Sequence, residues 1–394
     1  MKILYLQEMF QKTSSFIHKI ENYRYLNLST LIIVYLLTRI FLVFVINQVS
    51  WNNSSLLCYA SDCKQHWRNS QFVVHGLNPY KVWKEEGINL PLPYRADHPP
   101  FLYVLMPIFV WIWNNIWAII LIFFFFDFLN LILIYSLAKF KKISSLLYVF
   151  SPSLFRGLLF LEVEIFTIAF ILASIYFFYR KRYFLSTIML ALSFNLQIFP
   201  IVLFPVLLLN MNLMRENENK FFPKVDYKKI FRYLIIFILT SVICHLFFFP
   251  EWKIFYEYRT FEYTLSQKGT GIWVLLQLSP SKFYLPILII SLVIFYFFTY
   301  IKNLNIESGY FLGSLLFISL FPKFSVDHFI IISTLFLIWT QWSKADVFFW
   351  IFFTVGIFLE FLSLPTIGIV DKFTGTLISL SILIGFYFVV IKNL

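Results

Sequence analysis

Long apolar runs separated by short polar punctuation dominate the chain from residue 30 to its C-terminal end. A helix that crosses a bilayer needs about 20 mostly apolar residues. The pattern predicts such helices over 30–49, 118–138, 143–160, 165–179, 183–197, 198–210, 230–249, 284–300, 309–322, 329–342, 347–362 and 376–391. Membrane-spanning strands would instead alternate residue by residue in short segments. The expected fold is therefore an all-α integral membrane protein, a polytopic bundle of about 11–13 transmembrane helices. One further apolar run, "PPFLYVLMPIFVWIWNN" at 99–115, complicates the count. Either it re-enters the membrane without crossing, or the charge rule that orders the other runs fails there.

Two polar stretches interrupt the apolar pattern, a first outer loop at 50–98 with interfacial helices and a second at 250–283. The basic clusters "KFKK" from Lys139, "RKR" from Arg180 and the polar loop 211–229 belong on the opposite, cytoplasmic side, because positive charge collects there. Residues 1–29 carry Lys2, Lys12, Lys19 and Arg24 and lack the apolar core of a signal peptide, so they read as a cytoplasmic amphipathic tail. No internal repeat appears, and 1–394 reads as a single membrane domain. Composition agrees: 60% hydrophobic and 13% charged residues exclude an ordinary soluble domain. The net charge of +12 marks cytoplasmic loops, and no nucleic-acid partner is expected. Cys58, Cys63 and Cys244 are too few for a disulfide framework, although the first two could close a small local loop.

Chemistry-bearing residues concentrate in the outer stretches. The segment "SDCKQHWRNSQFVVHGLNPY" puts Asp62 about a dozen residues beyond the first span, where a carboxylate can meet a lipid headgroup and a polar acceptor together. Within the apolar runs, Arg39 and Asp127 are isolated charges, and the favoured reading pairs them as a structural bridge. Arg156 is open between that role and a place in a functional site. In "LEVEI", Glu162 and Glu164 stand two apart at the outer end of a span. A hard divalent cation could use such oxygens, but nothing else here completes the near-octahedral ligation that Mg²⁺ demands, and no cofactor is expected.

The order Asp62, "HGLNPY" at 75–80 and "PYRADHPPFLYVL" at 93–105 resembles the first outer loop of the GT-C superfamily of polyprenyl-phosphate-sugar glycosyltransferases. Within it, "SPSLFRGLLFLEVEIF" at 151–166, "NLQIFPIVLFP" at 195–205 and "FSVDHFII" at 324–331 are similar to segments of the branch that makes phosphatidylinositol mannosides. The chain departs from that branch where Leu161-Glu162 replaces Gly-Gln, Gln197 replaces Lys, and Phe rather than Tyr follows His328. The resemblance implies inverting transfer of a hexose, with mannose expected, from a polyprenyl (dolichyl) phosphate to a lipid- or glycan-linked acceptor. It implies Asp62 as general base. Donor-phosphate contacts would come from His328, Lys323, Arg259, Lys268 and Arg68, and acceptor or sugar contacts from Glu162, Glu164, Tyr80, His98 and Gln197. The expected location is a multi-pass membrane protein of a prokaryotic plasma membrane or a eukaryotic endoplasmic reticulum, with the site on the non-cytoplasmic face. A nucleotide-sugar enzyme would need strand and helix alternation that the chain lacks. A transporter or lipid flippase, and a noncatalytic subunit of a glycolipid-assembly complex, are the alternatives.

Overall fold

In the computed structural model the described residues are 19–52, 62–86, 95–96, 98–211, 214–215, 224–257, 280–320, 328–361, 381–382, 384–385 and 387. Cys58, Arg259, Lys268, Lys323, most of 211–229 and most of the expected span 376–391 lie outside them; of Asp62 and Cys63 the backbone alone is described. Almost all the regular structure is helical; the exceptions are two-residue strands, Met214–Arg215 and Lys224–Val225, paired antiparallel.

We number the helices α1 (Leu28–Asn52), α2 (Asp62–Val74), α3 (Pro79–Glu86), α4 (Leu102–Ile112), α5 (Trp117–Leu137), α6 (Lys141–Val149), α7 (Pro152–Phe160) and α8 (Glu164–Tyr179). They continue as α9 (Tyr183–Phe194), α10 (Phe204–Asn210), α11 (Tyr227–Leu246), α12 (Pro280–Ile301), α13 (Ile306–Leu320), α14 (Phe329–Trp339) and α15 (Lys344–Phe361). Three segments are long and apolar enough to cross a membrane: Trp117–Leu137, Tyr227–Leu246 and Tyr284–Ile301.

Three of the expected runs are cut differently. The run 143–160 divides into α6 and α7 because Pro152 has no amide hydrogen to continue α6, and it takes the first turn of the new helix behind an extended Ser151. The run 198–210 opens as a 3-10 turn, Phe199–Leu203, before α10. The run 99–115 holds only the 11 residues of α4, a rise of roughly 16 Å and about half a hydrocarbon core.

The buried charges tie α1 to α5. Arg39 Nε lies 2.7 Å from Asp127 Oδ2, Arg39 Nη1 donates to the Val149 carbonyl at 3.0 Å, and Tyr148 OH donates to Asp127 Oδ1 at 2.8 Å. Arg39 also lies over the rings of Tyr35 and Phe155, 4.8 and 5.2 Å from their centroids. At one end of the bundle, Lys142 Nζ donates to the Tyr23 carbonyl at 2.9 Å, and Lys139 bonds Gln341. That end therefore gathers the segment before α1, the "KFKK" cluster and the chain after α14.

Buried hydroxyls close the helix contacts. Ser186 and Ser193 of α9 donate to the Ser174 and Thr167 carbonyls of α8 at 2.8 and 3.0 Å. Where backbone must approach side chain, glycine stands: a Cβ on Gly309 of α13 would meet Val206 Cγ1 at 2.4 Å.

Candidate functional site

The site forms at the end of the bundle opposite Lys142, starting from α2. Gln65, His66, Asn69 and Ser70 recur at helical spacing and are all buried, so α2 turns a polar stripe inward. Asp62 is the first residue of this helix, one turn ahead of Gln65 and His66 in the same register. Gln65 Nε2 and Asn69 Nδ2 both donate to the Arg95 carbonyl, at 2.9 and 2.8 Å, and Asn69 Nδ2 also reaches Tyr103 OH at 3.2 Å. The rings of His66 and His98 face each other with centroids 4.9 Å apart at 47°.

The "HGLNPY" turn has a specific task. Gly76, at φ 74°, ends α2 in a left-handed conformation, and the Leu77 amide returns to the Phe72 carbonyl at 2.8 Å. Two residues on, Asn78 Oδ1 accepts from the Tyr80 amide at 3.0 Å and caps α3, with Pro79 at its first position. Tyr80 is fully buried, donates its hydroxyl to the His98 carbonyl and meets Tyr103 edge-on at 5.5 Å. Its polar atom is thus used in holding the His98 segment.

The second polar stretch meets the first. Asn78 Nδ2 donates to Glu251 Oε2 at 3.2 Å, and Tyr80 packs edge-on against Phe248 at 5.7 Å. Behind Glu251, His245 Nδ1 lies 2.8 Å from the Ser241 carbonyl and so carries the hydrogen, leaving Nε2 to accept from Tyr256 OH at 2.7 Å. Burial pushes the Tyr256 phenol up to about 12. Beside this junction a groove of about 540 Å³ runs between the α2–α3 turn, α4 and the end of α11, lined by Leu77, Tyr103, Pro107, Trp111 and Phe247 among others.

The floor reaches α8 through α5. Phe123 lies 5.8 Å from the His66 ring and 4.5 Å from the Phe166 ring, between α2 and the first turn of α8. There Gln197 Nε2 donates to Glu164 Oε1 at 2.6 Å, which joins two of the residues singled out from sequence although they are 33 positions apart. Glu164 is 5% exposed, and no cation lies within ion-pair distance of it among the described residues. Burying an ionised carboxylate costs several kcal/mol, whereas a helix N-terminus returns about 2 kcal/mol at most. One amide and the first turn of α8 are what Glu164 meets among the described residues. Asn130 donates Nδ2 to the Ile165 carbonyl at 3.0 Å; its Oδ1, like Gln197 Oε1, is buried with no hydrogen-bond partner among the described residues.

The remaining expected residues are dispersed. Arg68 pairs with Glu86 at 2.7 Å and lies over the Phe72 ring, engaged along the outside of α2 and α3. His328 is the N-cap residue of α14 and half-buried, and Ile330, two residues on, packs against the position of Gly157 in α7. Glu162 follows the left-handed Leu161, and its amide bonds the Gly157 carbonyl at 2.9 Å. Among the described residues no group of three His, Cys, Asp or Glu side chains gathers as a metal site.

Gln65, His66, Asn69, Tyr103 and Asn130 were not among the expected site residues. The signal for the first three was present in "DCKQHWRNS", whose polar positions recur every three to four residues. No protein-family model, curated protein or solved structure matches this chain.

Proposed function

We propose that the chain is a polytopic membrane glycosyltransferase of the GT-C type, moving a hexose, with mannose expected, from a polyprenyl (dolichyl) phosphate to a lipid- or glycan-linked acceptor on the non-cytoplasmic face. The observation that carries this reading is the junction of the two polar stretches, Asn78 with Glu251, beside a buried polar floor whose helix begins at Asp62. In the proposed step the Asp62 carboxylate takes the proton of the acceptor hydroxyl, whose oxygen bonds the anomeric carbon from the face opposite the phosphate. The bond from that carbon to the phosphate oxygen breaks, polyprenyl phosphate leaves with the electron pair, and the configuration inverts. A phosphate leaving group is weakly basic, so it needs cations and donors rather than a general acid. His328, Lys323, Arg259 and Lys268 are the proposed sources, with Arg68 a lesser one because Glu86 already engages it. The groove lined by Trp111 and Phe247 supports the reading by offering an apolar berth beside the polar floor. The mechanism needs no metal.

The test is transfer of label from radiolabelled polyprenyl-phosphate mannose to a membrane lipid extract by reconstituted protein, wild type against Asp62→Asn. Transfer by the wild type and its loss in the variant is the expected result. Equal transfer by both removes Asp62 as the base, and no transfer from mannose, glucose or arabinose donors overturns the enzyme. A second reading, a transporter or lipid flippase, draws on Arg39 and Asp127, charges buried in the middle of their helices.

A further inference from the structure

We infer that Glu164 and Gln197 form a subsite for a primary ammonium group, so that the lipid acceptor carries an amine. The inference rests on the transferase reading for the word acceptor, and on geometry alone for the amine.

The first observation is the carboxylate. Glu164 is buried at the start of α8, its described partner is the neutral amide of Gln197, and no cation lies within ion-pair distance of it among the described residues. Buried charges are ordinarily met by an opposite charge or a metal. The second observation is the pair of amides on the same turn, of which Asn130 is oriented without reference to Glu164. Asn130 Nδ2 faces a carbonyl, which can only accept, and Gln197 Nε2 faces Glu164, which accepts when ionised. The Asn130 amide is thereby oriented outright and the Gln197 amide with Glu164 ionised, and among the described residues Gln197 Oε1 and Asn130 Oδ1 are buried without a hydrogen-bond partner. Asn130 is fully buried and bonded to the residue that follows Glu164, so its amide lies against the same helical turn. The Glu164 carboxylate and the Gln197 oxygen beside it call for hydrogen-bond donors and a positive charge, with the Asn130 oxygen a further acceptor on the same turn. A sugar hydroxyl supplies one donor and no charge. An ammonium supplies three donors and the charge together.

A primary ammonium on a membrane lipid can come from an amino sugar or from an ethanolamine headgroup, and the test separates them. Full-length protein in phosphatidylcholine nanodiscs is titrated with a glucosaminyl lipid and with phosphatidylethanolamine, each beside its N-acetylated counterpart, and binding is read by native mass spectrometry. The expected result is that one amine binds about tenfold or more tightly than its acetylated form, as a charge-assisted hydrogen bond would give, and the amine that wins identifies the source. The advantage should vanish in Glu164→Gln. It should also vanish in Gln197→Lys, where the protein's own ammonium would occupy the subsite; that variant decides the matter if Glu164→Gln does not fold. Equal binding of amines and acetylated forms by the wild type, or an advantage that persists in either folded variant, overturns the inference. Binding is read without transfer, so the two conclusions fail separately. Amine preference without label transfer from any donor sinks the transferase alone. Transfer of label without amine preference sinks the subsite alone.

Discussion

Removing one member of the Arg39–Asp127 pair should cost far more than removing both. Asp127 is fully buried and accepts from Arg39 Nε at 2.7 Å and from Tyr148 OH at 2.8 Å. Asp127→Leu leaves the guanidinium with the Val149 carbonyl, Thr38 and two ring faces. Breaking a buried pair on one side costs about 3–5 kcal/mol, and the stranded Tyr148 hydroxyl adds about 1 kcal/mol. The ring faces hold back about 1–2 kcal/mol of that loss, so the net cost is about 3 kcal/mol. Arg39→Met leaves the carboxylate with Tyr148 alone, for a similar loss of about 3 kcal/mol. In Arg39→Met/Asp127→Leu both charges and their desolvation disappear while apolar volume is retained, and the loss falls to about 1–2 kcal/mol. The two single losses together exceed the double by about 4 kcal/mol, a coupling far above the scatter of independent sites. Reversible unfolding in mixed micelles, titrated with sodium dodecyl sulfate, measures all four corners of the cycle. Single losses below about 1 kcal/mol that simply add would refute the structural bridge. A folded double variant that has lost all label transfer would instead move the pair into the working machinery.

Gly309→Ala should destabilise by about 1–3 kcal/mol, since its Cβ would lie 2.4 Å from the branched Val206 side chain, and Val206→Ala should restore most of the loss in the same unfolding titration. Asn78→Ala removes the bond to Glu251 and the α3 cap, so hydrogen exchange should rise at 79–82 and at 251–257 together; a rise confined to 79–82 would mean that the two stretches are held by apolar packing alone. The Tyr256 phenol is raised to about 12 from an unfolded value near 10, so its contribution is fully present below about pH 10 and is lost as pH rises through 12. Tyr256→Phe should flatten the fall of the unfolding midpoint over that window, and an unchanged slope would place the titrating group elsewhere.

What the sequence revealed depended on how local the information was. Uniform apolar runs gave α5 and α8 nearly to the residue, 118–138 against Trp117–Leu137 and 165–179 against Glu164–Tyr179. The same uniformity hid the break at Ser151, because hydropathy stays high across Pro152 while the backbone cannot. The pairing of Arg39 with Asp127 was legible from cost alone: two isolated charges in apolar runs have few affordable partners other than each other. The bond between Gln197 and Glu164 was overlooked although the short turn at 180–182 folds the runs 165–179 and 183–197 into an antiparallel hairpin that brings 164 beside 197. The α2 stripe was overlooked for another reason. Its polar positions have helical spacing, yet a polar segment between apolar runs reads first as a loop.

Polar groups inside an apolar medium have no water to turn to, so the extent of their satisfaction separates scaffold from working surface. The Arg39 cluster is nearly complete: among its atoms Arg39 Nη2 alone lacks a partner, and the carboxylate accepts from two donors. A transported ion or lipid headgroup would need that carboxylate released, at the cost of a pair worth about 3–5 kcal/mol to break. The turn at Glu164 is the reverse, an acceptor set with a charge and two orphan oxygens and no described cation. The α2 floor is connected to it through Phe123, whose ring meets those of His66 and Phe166. Binding is therefore favoured at the end of the bundle where α2, α8 and the stretch after α11 come together, and disfavoured at its middle. That distribution supports the proposed transferase over the transporter reading.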